Sequence, residues 1–283
     1  MFPGAFTYNR PSTVADAVAL LADNPDAKIV AGGHSLVPAM KLRLAMPGAL
    51  VDLRDIGELR GVEASDDSVT IRAMATYNEI RGDEGVASAL PILIEAIDVV
   101  GDAQVRDHGT LVGSLVHNDP AADLTAVALA IGGEIHATGP NGDRSISLDD
   151  FFVDLWTTTL ETEEVATHVT LKRPSKHSRM AYRKFAHPAS GYAIVGVAAV
   201  LEMDDDVVSQ ARVVLTGATS TATRLSTVEQ AITGQALTEK SVDAAIRDVT
   251  AGLIINGDQF APETYRAHLV GVLTKRALLG TQA

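Results

Sequence analysis

The strongest constraint on the fold lies in the second half of the chain. Residues 180–185, 194–203 and 211–216 are long strand-like runs, the last two separated by the acidic turn Asp204-Asp205-Asp206. Three helical stretches follow, starting near Thr227, Thr238 and Glu263. Strands first and helices afterwards predict an antiparallel sheet with helices on one face. The first half mixes the two. Ser12 or Thr13 caps a helix with Val14, Ala17, Val18 and Leu21 on one face, and Asn24-Pro25 ends it. Strands at 28–31 and 49–53, separated by Gly32-Gly33 and a loop rich in Leu and Met, complete a small α/β lobe. Hairpins are predicted around residues 65–68 and around Pro140-Asn141-Gly142. Thr76 caps a short helix to Ile80, Pro91 begins one to Val100, an apolar helix covers 124–131, and Ser147 caps 148–152. The fold class is therefore α+β rather than a doubly wound sheet. A length of 283 residues allows two or three compact units. The clearest boundary is at Arg173-Pro174-Ser175-Lys176.

The chain has no cysteine. Without cysteine sulfur it holds no disulfide framework, thiolate nucleophile, zinc ribbon or iron–sulfur cluster of its own. Its eight histidines include no pair at i and i+3 or i+4, so a helical metal site is not expected. A formal charge of −13 argues against nucleic acid and anionic lipid as partners, because phosphate recognition at such surfaces needs a basic stripe. The first ten residues lack the pattern of a secretory signal, and the longest apolar stretch, 193–201, is too short to span a bilayer. A cytoplasmic location with no membrane span is expected.

Three segments combine small residues, hydroxyls and glycine. Ala31-Gly32-Gly33-His34-Ser35 follows a strand directly, where glycines let consecutive N–H groups converge on an anion. Gly109-Thr110-Leu111-Val112-Gly113-Ser114 is followed by His117-Asn118-Asp119-Pro120 and Asp123, with Asn118 and the acids available to ribose or adenine-side groups. Neither segment is a G-x-G-x-x-G fingerprint, and the second lacks the lysine of a nucleoside triphosphatase loop. Two such segments suit a dinucleotide, whose pyrophosphate is clasped from more than one side. On an acidic chain it would be held mainly by backbone dipoles and hydroxyls. His187-Pro188-Ala189-Ser190-Gly191-Tyr192 presents a tyrosine on a flexible loop, where it can cover a flat ring. An ordinary glycine turn and a surface tyrosine are the plain alternatives. His34-Ser35 does not form a nucleophile elbow.

Together these segments resemble a known family, the FAD-binding medium subunit of molybdenum hydroxylases of the aerobic carbon monoxide dehydrogenase and xanthine dehydrogenase type. The resemblance runs from Phe6-Thr7-Tyr8 with Arg10-Pro11 to the C-terminal helices. It is most specific at Ala31 to Ser35, continuing through Leu36, Pro38, Met40, Lys41 and Arg43, then at 109–123 and at 190–198. It implies an FAD-binding unit of the PCMH (vanillyl-alcohol-oxidase-like) type made of two α/β subdomains, at 1–55 and 56–173, before a C-terminal α+β domain at 177–283. It also implies non-covalent FAD, with Ala31, Gly32, Gly33, His34, Ser35 and Leu36 on one phosphate-side loop. Thr110, Leu111, Val112, Gly113 and Ser114 would form the other, Asp119 and Asp123 would meet polar groups of the nucleotide, and Tyr192 would lie at the flavin face with Lys184 near it. The family usually reads T-I-G-G where this chain reads Thr110-Leu111-Val112-Gly113. Valine disfavours positive φ and adds bulk, so this backbone is expected farther from the phosphate.

The resemblance further implies an electron-transfer subunit with no catalytic acid or base of its own and no metal. An iron–sulfur small subunit carrying [2Fe-2S] clusters and a large subunit carrying the molybdenum cofactor would be its partners, in a dimer of heterotrimers. Its flavin would pass electrons to an external acceptor. Substrate selection would then belong to a different polypeptide. A self-sufficient FAD-dependent oxidase or reductase, and a scaffold that has lost its cofactor, are the competing readings.

Overall fold

The computed structural model describes residues 2–281. Strand β1 (Thr7–Asn9) leads to helix α1 (Val14–Asp23), whose Thr13 hydroxyl accepts from the Asp16 N–H at 3.1 Å. Thr13 rather than Ser12 is therefore the cap, and Val14, Ala17, Val18 and Leu21 are the buried face, as their spacing predicts. Strand β2 (Ala27–Val30), helix α2 (Leu36–Lys41) and strand β3 (Ala49–Asp52) complete a parallel sheet in the order β1-β3-β2. Helix α2 occupies part of the expected Leu- and Met-rich loop. Its Pro38 falls in the first turn, where the missing N–H has no intrahelical partner to lose.

Hairpin β4 (Val62–Ala64) and β5 (Ser68–Arg72) precedes six helices. They are α3 (Tyr77–Arg81), α4 (Glu84–Ala89), α5 (Pro91–Asp98), α6 (Ala103–His108), α7 (Leu111–His117) and α8 (Asp123–Ile131). Then come hairpin β6 (Gly133–Gly139) and β7 (Gly142–Ser147), helix α9 (Leu148–Phe151), the small hairpin β8 (Phe152–Asp154) and β9 (Thr157–Thr158), and β10 (Val165–Lys172). Strands β4-β5-β10-β6-β7 form one antiparallel sheet. Its central strand, β10, is hidden in the sequence because a register shift between Ala166 and His168 breaks the two-residue alternation.

The C-terminal sheet is antiparallel, in the order β11 (Arg179–Ala186), β12 (Ala193–Asp204), β13 (Val207–Thr216), β14 (Thr223–Arg224). Helices α10 (Ser226–Ile232), α11 (Glu239–Ala245) and α12 (Glu263–Gly280) contribute Val228, Ile232, Val242, Val270 and Leu273 to the core on one face, against Val195, Val197, Val213 and Leu215. The opposite face is covered too: Tyr182, Ala198, Val200 and Val214 join the core of the first half, against α5 and α8. Burial on both faces is why β12 reads as a near-continuous apolar run. Every residue of α8 is buried, as an all-round apolar helix requires.

Candidate functional site

Segment 109–123, expected as a loop, holds α7 instead. Thr110 caps it, its hydroxyl accepting from the Gly113 N–H at 3.2 Å. Thr110, Gly113, Ser114 and His117 recur at helical spacing and all line one cleft of about 660 Å³, within the range of small-molecule sites. Val112 lies inside the helix, buried, and is not among the residues with positive φ. Its backbone is thus unstrained, and its side chain packs in the core where the core borders the cleft wall.

The opposite wall is the turn between β2 and α2. Gly33 has a φ of +72°, and a Cβ on Gly32 would lie 2.0 Å from the His108 carbonyl oxygen and 2.9 Å from the Gly109 Cα. The two glycine segments therefore meet backbone to backbone, 78 residues apart (109 − 31) in sequence. The N–H groups of Gly33, His34 and Ser35 donate to no group among the described residues. The His34 Nδ1 lies 3.0 Å from the Gly32 carbonyl oxygen, and its ring stacks on His108 at 5.3 Å. Lys28 is the one Lys or Arg in the cleft lining among the described residues. An anion here meets backbone dipoles and hydroxyls, not a cationic field.

Tyr192 stands at the mouth on the loop turned by Gly191, whose φ is +73°. Burial and the Asp119 carboxylate raise its phenol pKa, while the Ser35 hydroxyl opposes them. Tyr77 lies deeper, its pKa pushed up to about 12 by burial despite a hydrogen bond with Ser114. Asp119 accepts from the Ala121 N–H at 2.8 Å. Asp123, at the head of α8, is 6% exposed and lines the cleft. It accepts from the Tyr182 hydroxyl at 2.5 Å and from the Lys184 ammonium at 2.8 Å. Burial raises the Asp123 pKa, opposed first by Lys184 and then by Tyr182.

Of the residues singled out from sequence, Ala31, Gly32, Gly33, His34, Ser35, Leu36, Thr110, Val112, Gly113, Ser114, Asp119, Asp123 and Tyr192 line this cleft. Leu111 and Lys184 do not: Leu111 is core, and Lys184 stands behind Asp123. Asn118 is not a ligand group either. It is fully buried in the left-handed conformation and donates to the carbonyls of Asp154 and Thr157 at 2.8 and 2.9 Å. Its side-chain oxygen accepts from Thr221 at 2.8 Å. These bonds hold the tip of β8–β9, which places Trp156, φ +52°, on the cleft rim. Sequence reasoning missed Trp156, Thr157 and Thr158, and it named His117 beside the second glycine segment without giving it a role; the sole tryptophan in a threonine-rich stretch was a signal.

The flavin adenine dinucleotide that the resemblance implies fits this donor set. The cleft offers free backbone N–H groups on a glycine turn, hydroxyls at Ser35, Thr110 and Ser114, and a Gly32 position where any side chain would strike the other glycine segment. No group of three or more metal-ligating side chains occurs among the described residues, and no helix there is long and apolar enough to cross a membrane.

Comparisons with known proteins agree over the whole length. Residues 4–174 match the family described as "FAD binding domain in molybdopterin dehydrogenase", and residues 180–281 match "CO dehydrogenase flavoprotein C-terminal domain". The "Carbon monoxide dehydrogenase medium chain" of Hydrogenophaga pseudoflava is 36% identical, across 98% of this chain and 97% of that one. The "Nicotine 6-hydroxylase medium subunit" of Paenarthrobacter nicotinovorans is 33% identical, across 97% and 96%. Among solved structures, carbon monoxide dehydrogenase from Hydrogenophaga pseudoflava superposes with a TM-score of 0.96 at 36% identity, covering 100% of this chain and 99% of that one. Quinoline 2-oxidoreductase from Pseudomonas putida 86 superposes at 0.93 and 32% identity, covering 100% and 99%.

Proposed function

Because the chain belongs to the family of FAD-binding medium subunits of molybdenum hydroxylases, we propose that it is the flavin-bearing electron-transfer subunit of such an oxidoreductase. It takes electrons from iron–sulfur clusters of a small subunit, beside a molybdenum-binding large subunit, and passes them to an external acceptor. The observation that carries this reading is the backbone contact between the two glycine segments on one cleft, in a chain similar to medium chains over its whole length. FAD bound there would supply the ability to exchange electrons singly with clusters and in pairs with an acceptor.

The chain's own work is positional. The Gly33, His34 and Ser35 N–H groups and the α7 face bind the pyrophosphate side, and Tyr192 covers the ring at the mouth. Asp123 orients polar groups of the nucleotide and is itself held by Lys184 and Tyr182. Binding is read as non-covalent, with His34 a packing residue whose Nδ1 lies against the Gly32 carbonyl and whose ring stacks on His108. We read residues 1–55 and 56–173 as the two FAD-binding subdomains and 177–283 as the C-terminal domain. The complex is a cytoplasmic dimer of heterotrimers.

The test is purification with and without partner subunits. The chain should carry about one flavin, released into the supernatant by acid, and that flavin should be reduced only when the partners and their substrate are present. Reduction in the isolated chain by a small molecule would favour a self-sufficient enzyme, and a colourless preparation would refute flavin binding.

A further inference from the structure

The cofactor turn runs directly into an exposed apolar turn. Leu36, the first residue of α2, lines the cleft, and α2 buries Met40 in a cluster with Val30 and Leu50. The helix closes with the Leu42 N–H on the Pro38 carbonyl at 3.0 Å, Arg43 on Met40 at 3.0 Å and Leu44 on Ala39 at 2.9 Å. This is a Schellman closure, in which the left-handed position usually holds glycine and the next apolar residue folds back on the helix. Here Arg43 takes the left-handed position, φ +59°, and Leu44 stands 80% exposed. Met46, at 72%, and Phe2, at 85%, are also in solvent, and the Phe2 carbonyl accepts from the Arg43 Nε at 3.5 Å. The hydrogen bonds fix this turn, so its apolar side chains are held outward by a rigid backbone.

Lys41 and Arg43 flank the patch and form no ion pair among the described residues, although the chain carries a formal charge of −13. An apolar surface with free cations on an acidic protein fits an apolar partner surface with negative charge. An iron–sulfur cluster in thiolate ligation carries net negative charge, and more once reduced. A subunit that delivers electrons must also bring its cluster close to the cofactor, and this turn is continuous with the cofactor loop. We propose that residues 42–46 with Phe2 form the docking surface for the iron–sulfur subunit, with Lys41 and Arg43 facing its cluster-bearing side. This rests on the function proposed above.

The experiment uses the co-expressed complex and two variants, Leu44→Asp/Met46→Asp and Lys41→Glu/Arg43→Glu. Flavin content and melting temperature should match wild type, because none of these side chains lines the cleft or is core. Retention of the small iron–sulfur subunit should fall on the order of tenfold or more in each. Wild-type retention should weaken as salt rises, and the charge-reversed variant should lose that dependence. Wild-type retention in both variants overturns the docking proposal, as does loss of the large subunit alone. A wild-type complex without flavin overturns the proposed function, and the docking proposal with it.

Discussion

Gly32→Ala probes the contact on which the site is built. Gly32 is not among the residues with positive φ, so alanine brings no backbone strain, only a methyl group. That methyl would sit 2.0 Å from the His108 carbonyl oxygen, whereas ordinary contact begins at 3.4 Å. The two segments must therefore separate by 1.4 Å (3.4 − 2.0), and both obstacles are backbone atoms without a rotamer to change. Overpacking of this kind costs about 2–3 kcal/mol, and a chain of this size should melt roughly 5–10 °C lower. Loss of a single charge-assisted hydrogen bond to the pyrophosphate would weaken flavin binding about tenfold to a hundredfold. Thermal melting and a flavin titration of the apoprotein measure the two effects. Gly57→Ala is the control, since a Cβ there meets nothing within 4 Å. If Gly32→Ala melts and binds flavin as wild type does, the segments are not in the contact described, and the cradle argument fails.

Three further substitutions test other parts of the reasoning. Val112→Gly restores the residue usual in the family, yet it should destabilise the protein by about 2–4 kcal/mol through lost burial and helix propensity and leave flavin affinity unchanged; tighter binding in a titration would contradict the geometry of α7. Asn118→Ala removes three side-chain hydrogen bonds at a fully buried site. It should cost about 2–4 kcal/mol and shift the emission of Trp156, the sole tryptophan; an unchanged spectrum would show that Asn118 does not set the rim. The His168 pKa is lowered to about 4 by burial, then by His136 and Arg72. A lowered histidine pKa means that the unfolded chain binds more protons, so this contribution is full above pH 6.5 and is lost as pH falls toward 4. His168→Gln should flatten stability across that window in denaturant titrations, and an unchanged slope would rule the residue out as the cause.

Much of the architecture is legible without coordinates, because caps and turns are local chemistry. Thr13, Thr76 and Ser147 each cap the helix that their position predicts, and Pro91 opens α5. What stays hidden is non-local. Strand β10 is masked by its bulge, and α7 is masked by glycines that read as a loop until the Thr110 cap is seen. The glycine segments are visible as motifs, but only folding shows that Gly32 touches the backbone of the other. Asn118 illustrates the converse error. A polar residue beside a glycine motif reads as a ligand group, whereas its bonds are spent on Asp154, Thr157 and Thr221. The histidine pairs His34–His108 and His136–His168 stack across separate segments, which spacing along the chain cannot reveal.

The segment after α7 has a consequence for how this lineage can be recombined. The Pro120 carbonyl accepts from Thr216 and Gly217, the Ala121 carbonyl from Ala193, and the Asn118 side chain from Thr221. Three residues of the cofactor half are thereby stitched to three separate stretches of the C-terminal half. The two family matches end and begin at residues 174 and 180, yet a chimera joined there would inherit a mismatched seam directly beneath the cleft. Exchange between relatives should succeed when 118–123 travels with 193, 216–217 and 221, and fail when they are parted. The unit of inheritance is the stitched pair, not the module that the linear match suggests.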